Sequence, residues 1–170
     1  MDPVIVFVNG LSGTGKSSLV QYFKKHPLRG WIVYDFDFGK YKIPKETVKH
    51  HAWRVKQQKH WLQTGLDNAK RDLRTTVFGF SLWPETALTL STAKKFKKKN
   101  IHFALLHTNA VVRKKRLYSV GRKHLWRGHQ NWYDEFYDKV RKYSEIEIDS
   151  SDLTIVDVAK KMKRWLNNVN

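Results

Sequence analysis

The octet Gly10-Leu11-Ser12-Gly13-Thr14-Gly15-Lys16-Ser17 constrains this chain more than any other stretch, because its flanks agree with it. It fits the pattern G-x-x-x-x-G-K-[ST] at every position. Val4-Ile5-Val6-Phe7-Val8 before it is a short, apolar, β-branched run suited to a buried parallel strand. Ser18-Leu19-Val20-Gln21-Tyr22-Phe23 after it places apolar residues at helical spacing. Strand, glycine-rich loop and helix thus follow in the order that builds a phosphate cradle. Backbone N–H groups of such a turn surround a phosphate, and the helix N-terminus adds positive potential. Lys16 is then set to reach the β- and γ-phosphates of a nucleotide, and the Ser17 hydroxyl to meet Mg²⁺. Gly10, Leu11, Ser12, Gly13, Thr14, Gly15, Lys16, Ser17 and Ser18 are the candidate nucleotide-binding residues.

A chain of 170 residues suits one α/β domain with a substantial core. The absence of cysteine excludes disulfides, thiolate metal sites and cysteine nucleophiles. The first strand starts directly after Met1-Asp2-Pro3, which leaves no room for a signal peptide, and no apolar run nears the ~20 residues of a membrane span. The expectation is a soluble, cytoplasmic protein.

Charge is the second constraint: 33 Lys and Arg against 15 Asp and Glu give a net +18. The excess lies mainly in residues 40–74, whose only acids are Glu46, Asp67 and Asp72, and in residues 113–127, which contain none. Such a surface attracts polyanions through counterion release, so nucleic acid is a candidate partner. The alternative is an active-site face made basic by anionic nucleotides. Lys94 to Lys99 reads as the solvated end of a helix, where cations suit the dipole.

Strand-like and helix-like segments alternate along the chain. Strands are predicted at about 4–8, 31–34, 75–82, 101–106 and 146–148. A helix is predicted over 16–25, and a second over 45–74 that bends at Gly65, with Val48, Ala52, Val55, Trp61 and Leu62 loosely on one face. Pro84 suits the start of a third helix with Glu85 in its first turn. A basic helical region follows from Asn109, with loops at Gly121 and Gly128, then a helix over 132–143. The last helix is capped by the run ending at Thr154 and carries Val156, Met162, Trp165 and Leu166. The fold class is therefore a three-layer α/β fold: a mostly parallel five-stranded sheet with helices on both faces, in one domain spanning 1–170.

Ligands in such sheets bind beyond the carboxyl ends of the strands. There Tyr34-Asp35-Phe36-Asp37-Phe38 closes the second strand. If the strand continues, alternation puts both carboxylates on one side, where they could activate a hydroxyl and hold Mg²⁺ through its waters. The alternative is a pair of turn or helix-capping residues. Ser81 and Glu85 occupy the corresponding end of the third strand, Glu85 reading first as a helix-start residue.

Together these residues resemble the nucleoside-monophosphate-kinase-like group of P-loop kinases. The phosphate loop looks most like those of adenylylsulfate, shikimate and gluconate kinases. Asp35-Phe36-Asp37 is similar to the Asp-x-Asp of shikimate kinases. That resemblance implies ATP and Mg²⁺ as cofactors, Asp35 with Ser17 at the metal, and Asp37 at the acceptor hydroxyl. It also implies an acceptor region over about 38–74 and a lid over about 109–130 whose arginines close on phosphate. Arg113, Arg116, Arg122 and Arg127 lie there, with Arg116 and Arg122 the candidate catalytic arginines; arginine's planar fork suits phosphoryl oxygens. Departures are visible too. Arg116-Leu117 is followed by Tyr118-Ser119-Val120-Gly121 before Arg122, so the choice between the two arginines stays open. The third strand ends Phe78-Gly79-Phe80-Ser81-Leu82, without a Walker B aspartate or a Gly-Gly turn. A single base at Asp35, as polynucleotide kinases have, is the other assignment.

Among the eight histidines, His50, His51 and His60 lie in a basic stretch without clustered carboxylates and read as surface or substrate contacts rather than zinc ligands. His124 and His129 sit in the lid segment and read as solvent-facing. Trp53 and Trp61 read as core, with base stacking the alternative, while Trp126 and Trp132 flank a basic loop suited to stacking. Three function classes follow: an ATP- and Mg²⁺-dependent kinase for a small molecule or nucleotide, a 5′-hydroxyl polynucleotide kinase, and a non-catalytic ATP-binding regulatory module.

Overall fold

Alternating side-chain direction along the first strand, which is buried throughout, sets the layers of the molecule. In the computed structural model, which describes residues 1–127 and 133–169 without the side chains of Lys98 and Arg127, β1 spans Ile5–Asn9 at the centre of the sheet. Val4, Val6 and Val8 face one side and pack with Leu19, Val20 and Phe23 of α1 (Lys16–Lys25) and with Val158, Ala159 and Met162 of α7 (Ile155–Leu166). Ile5 and Phe7 face the other and meet Trp53, Trp61 and Leu62 of α2 (His50–Ala69). A period of two therefore yields two apolar faces, each covered by helices. Each buried Leu, Ile or Phe contributes about 1.5–3 kcal/mol, so this sandwich supplies much of the stability.

The sheet has five strands in the order β2-β3-β1-β4-β5. β2 is Trp31–Asp35, β3 Arg74–Gly79, β4 Ile101–His107 and β5 Ile146–Asp149. Every pairing is parallel, with Ile5 opposite both Thr75 and Ile101. From β1 the chain runs outward to β2, returns to β3 and then crosses to β4 on the far side. The reversal opens a crevice above the carboxyl end of β1, where the glycine-rich loop lies. α3 (Pro84–Thr89), α4 (Ala110–Ser119), α5 (Lys123–Arg127) and α6 (Tyr133–Arg141) complete the helices. Among the described residues no helix is long and apolar enough to cross a membrane.

Several expectations change. The helix expected over 45–74 starts only at His50 and runs unbroken through Gly65. A Cβ at Gly65 would stand 3.2 Å from Phe96 and 3.4 Å from Ile5, so this glycine serves close packing on the sheet rather than a bend. Val48 and Ala52 are exposed; the buried stripe is Trp53, Gln57, Trp61 and Gly65, and it includes polar residues. Gln57 Nε2 and Trp53 Nε1 both donate to Tyr41 O, at 2.9 and 3.0 Å, which pairs these polar groups inside the core. Lys94–Lys99 is not a helix end: α3 stops at Thr89, short 3₁₀ turns follow, and buried Phe96 pins the segment. β3 ends at Gly79, three residues short of the expected Leu82. Val156 is half-exposed, whereas Thr154 caps α7 as expected by accepting from Asp157 N. Gly128, His129, Gln130 and Trp132 lie outside the described residues.

Candidate nucleotide and acceptor site

The glycine-rich loop joins β1 to α1, and its glycines have distinct physical reasons. Gly13 and Gly15 have φ of 89° and 100°, the left-handed region that side chains resist. At Gly10 a Cβ would stand 2.4 Å from Leu106 O, so only glycine lets the loop leave the sheet beside β4. Thr14 Oγ1 donates to Leu11 O at 2.9 Å and stiffens the turn. Among the described residues the N–H groups of Gly13 and Gly15 donate to no carbonyl, as an anion cradle requires. Ser17 and Ser18 are exposed in the first turn of α1. The Leu11 side chain is buried with Leu105 and Phe136, so it anchors the loop on α6.

Lys16 Nζ donates to Gly10 O at 2.6 Å and Leu11 O at 2.9 Å. Burial pulls its pKa down to about 8, against the pull of Asp37 and Asp35, and the Arg113 charge lowers it further. Ser12 to Ser18, Asp35, Asp37, Arg116 and Arg122 line one cleft of about 530 Å³. Every residue named from the sequence as catalytic therefore converges there; Gly10 and Leu11 lie behind it.

The acidic pair arrives by a route the strand pattern did not contain. β2 stops at Asp35, and Phe36–Phe38 forms a 3₁₀ turn that Asp35 caps, its Oδ1 accepting from Asp37 N at 3.0 Å. Asp35 is thus both a cap and a cleft residue, so the two alternatives are compatible. Phe36 between the carboxylates is fully buried. It presses on Gly79, where a Cβ would stand 2.2 Å from Phe36 Cβ, and makes an edge contact with Trp53. Trp61 Nε1 donates to Phe36 O at 3.2 Å. Trp53 and Trp61 are therefore core residues whose task is to seat this turn. Although solvent reaches Asp37, the surrounding walls desolvate it, and this together with Asp35 raises its pKa against Lys16, Arg54 and Arg122.

The two lid arginines differ. Arg116 is clamped, donating to Ser150 Oγ at 3.0 Å and Ser150 O at 2.7 Å. Ser150 Oγ in turn donates to Thr14 O at 3.0 Å, bracing the phosphate loop from outside. α4 is part of the body, with Arg113 and Leu117 buried. Arg122 is exposed after Gly121, whose φ is 72°, and its guanidinium makes no hydrogen bond among the described residues. His124 is exposed, and no cluster of His, Asp and Glu among the described residues could hold a metal by itself. Ser17 with the Asp35 and Asp37 carboxylates suits Mg²⁺, which takes few protein ligands alongside phosphate oxygens and water. Ser81 is buried and donates to Asn9 Oδ1 at 2.8 Å, and Glu85 is exposed in the first turn of α3.

Sequence reasoning missed Ser150, Arg54 and the burial of Arg113. Ser150 follows β5, so the rule that sites collect at strand ends could have found it. Arg54 stacks on the Phe80 ring at 4.5 Å and feels Asp37, and burial lowers its pKa. A basic residue on a polar helix gives no sign of that.

No family model matches the chain, and no curated protein matches it by sequence. Solved structures do match in shape. A shikimate kinase from Acinetobacter baumannii in complex with shikimate superposes with a TM-score of 0.61 at 16% identity, covering 99% of this chain and 94% of that one. A gluconokinase from Sinorhizobium meliloti 1021 gives 0.61 at 16% identity over 98% of this chain and 93% of the other. The tunicamycin resistance protein of Deinococcus radiodurans gives 0.59 at 16% identity over 98% and 96%. With the all-parallel sheet and the glycine-rich loop above β1, these likenesses give the chain the fold of the P-loop kinases.

Proposed function

We propose that the protein is a cytoplasmic, ATP- and Mg²⁺-dependent kinase that passes the γ-phosphoryl group to a hydroxyl or phosphate of a small molecule or nucleotide. One observation carries the reading: Lys16, the Asp35–Asp37 turn and Arg122 line a single cleft with the glycine-rich loop. In this reading Lys16 leaves the Gly10 and Leu11 carbonyls for the β- and γ-phosphate oxygens. Ser17 and Asp35 would hold Mg²⁺, which would supply positive charge to the phosphates. Asp37, its basicity raised by the cleft, accepts the acceptor's proton as the new P–O bond forms and the bond to ADP breaks. Arg122 swings in against the transferring oxygens, and Arg116 stays as the wall beside the loop. Catalysis is then positioning and charge stabilisation. Arg54, beyond Asp37, faces the acceptor side.

The test is transfer of labelled γ-phosphate to a panel of sugars, hydroxy acids, nucleosides, nucleotides and 5′-hydroxyl oligonucleotides. Label appearing in one class of acceptor supports the reading. ATP binding with no turnover on any acceptor overturns it in favour of a non-catalytic regulatory module. A polynucleotide kinase is the second reading, favoured by the segment after Asp37. There Phe38 is 85% and Val48 87% exposed, among Lys40, Lys42, Lys45 and Lys49. An exposed ring flanked by lysines suits a single strand entering at the acidic turn.

A further inference from the structure

Arg113 is among the largest fully buried side chains, and its charge has no counter-ion in any ion pair of the described residues. Its Nε and Nη2 find no hydrogen-bond partner among the described residues. Nη1 donates to Ser12 O at 3.4 Å, a long bond with room to shorten. The guanidinium lies over two rings, 4.7 Å from the centre of Trp126 of α5 and 4.8 Å from that of Tyr133 of α6. Its stem packs behind the phosphate loop, where a Cβ on Gly13 would stand 3.1 Å from Arg113 Cγ. A leucine or methionine would fill this space without burying a charge, so packing alone does not account for arginine here.

A trans peptide points its C=O and N–H in opposite directions. A cation drawing Ser12 O backwards therefore turns Gly13 N–H forwards, into the cleft. We propose that Arg113 is a positioning residue for nucleotide phosphate: it sets the Ser12–Gly13 peptide with its N–H toward the anion, stands behind it as a compensating charge, and couples the loop to Trp126 on α5. The proposal rests on the reading of the loop as a nucleotide site. The buried charge finds its counter-ion only when polyphosphate arrives, and the long bond to Ser12 O then tightens. Arg113 also lowers the pKa of Lys16, so its field already extends to the loop. α5 follows Arg122 directly, so phosphate occupancy is transmitted to the base of the arginine that closes over it.

The experiment is ADP binding by calorimetry, with tryptophan emission recorded in parallel, for wild type, Arg113→Met, Arg113→Lys and Trp126→Phe. Arg113→Met should weaken ADP binding about tenfold or more, the scale of one lost charged hydrogen bond. Arg113→Lys, which keeps the charge and one donor, should recover most of that loss. ADP should change the emission of wild type, and the change should vanish in Trp126→Phe and in Arg113→Met. Unchanged ADP affinity in a folded Arg113→Met protein, with only a lower Tm, overturns the proposal and makes Arg113 a packing residue. If Arg113→Met does not fold, Arg113→Lys with a wild-type affinity but no Trp126 response overturns the coupling. A wild-type chain that binds no ADP overturns the nucleotide reading itself.

Discussion

At the scale of single residues, the cleft divides its work between charges whose environments differ. Lys16 carries a pKa near 8 because burial opposes its charge, so it loses its proton sooner than an ordinary lysine as pH rises. In the proposed reaction the cation is the useful form, so kcat/KM for ATP is expected to fall as pH climbs through about 8, measured in buffers of constant ionic strength. Asp37 moves the other way. As the proposed base, Asp37 is protonated earlier on acidification because its pKa is raised, and the acidic limb of the same profile should lie above the usual value of a free aspartate. Asp37→Asn should remove that limb along with most of kcat while leaving ADP affinity within about twofold, because the lost interaction belongs to the transition state. Lys16→Ala should instead lower turnover by about two to three orders of magnitude, as loss of a preorganised charge donor does. An unaltered pH profile in Asp37→Asn would return the acidic turn to a purely structural role.

At the scale of elements, α2 exists to hold the acidic turn, and this is where the sequence was hardest to read. Trp53, Gln57 and Trp61 recur every four residues, yet glutamine in the stripe hides the amphipathic signal. The donors to Tyr41 O and Phe36 O account for the buried side-chain nitrogens of Trp53, Gln57 and Trp61. Strands were easier: β1, β2 and β4 fall within a residue of their expected bounds, because buried parallel strands are written as unbroken apolar runs. Phe36→Ala should cost about 3–5 kcal/mol, the usual range for emptying a phenylalanine site. It should also reduce kcat at temperatures where the variant is still folded, because Asp35 and Asp37 flank the lost anchor. On the other side of the cleft, α4 and α5 share one basic run in the sequence, but Arg116 is clamped and Arg122 is not. Hydrogen exchange should therefore slow across residues 120–127 when ATP analogue and acceptor bind, with α4 unchanged. Equal protection with and without ligand would make Arg122 a fixed surface charge.

At the scale of the whole molecule, most of the +18 charge stays at the surface, with Arg113 fully buried and Lys16 and Arg54 partly so. The salt dependence of acceptor binding decides what it serves. A free small-molecule acceptor should show a shallow slope of log K against log salt. A single strand lying over residues 38–59 would show a slope of about −0.7 for each phosphate neutralised, and several such contacts would establish the polynucleotide reading. The overall shape was legible because the glycine-rich loop and the alternating runs point to one architecture. The acceptor was not, because the residues grouped around Asp37, Arg54 and Phe80 among them, are far apart in the chain and carry no common spacing.

All five strands run the same way, so the two rims of the sheet have separate duties. The rim where strands begin is closed by structural ties such as Asn100 Nδ2 to Pro3 O and Arg74 to Val169 O, and among the described residues none that lines the cleft lies on it. Alterations there should change how long the protein survives heating without altering what it does. Along the opposite rim, the segment after Asp37 could be exchanged for another of different shape while the frame beneath it stays as it is. If the proposed function holds, a new preference for acceptor could then arise without rebuilding the frame that carries the glycine-rich loop.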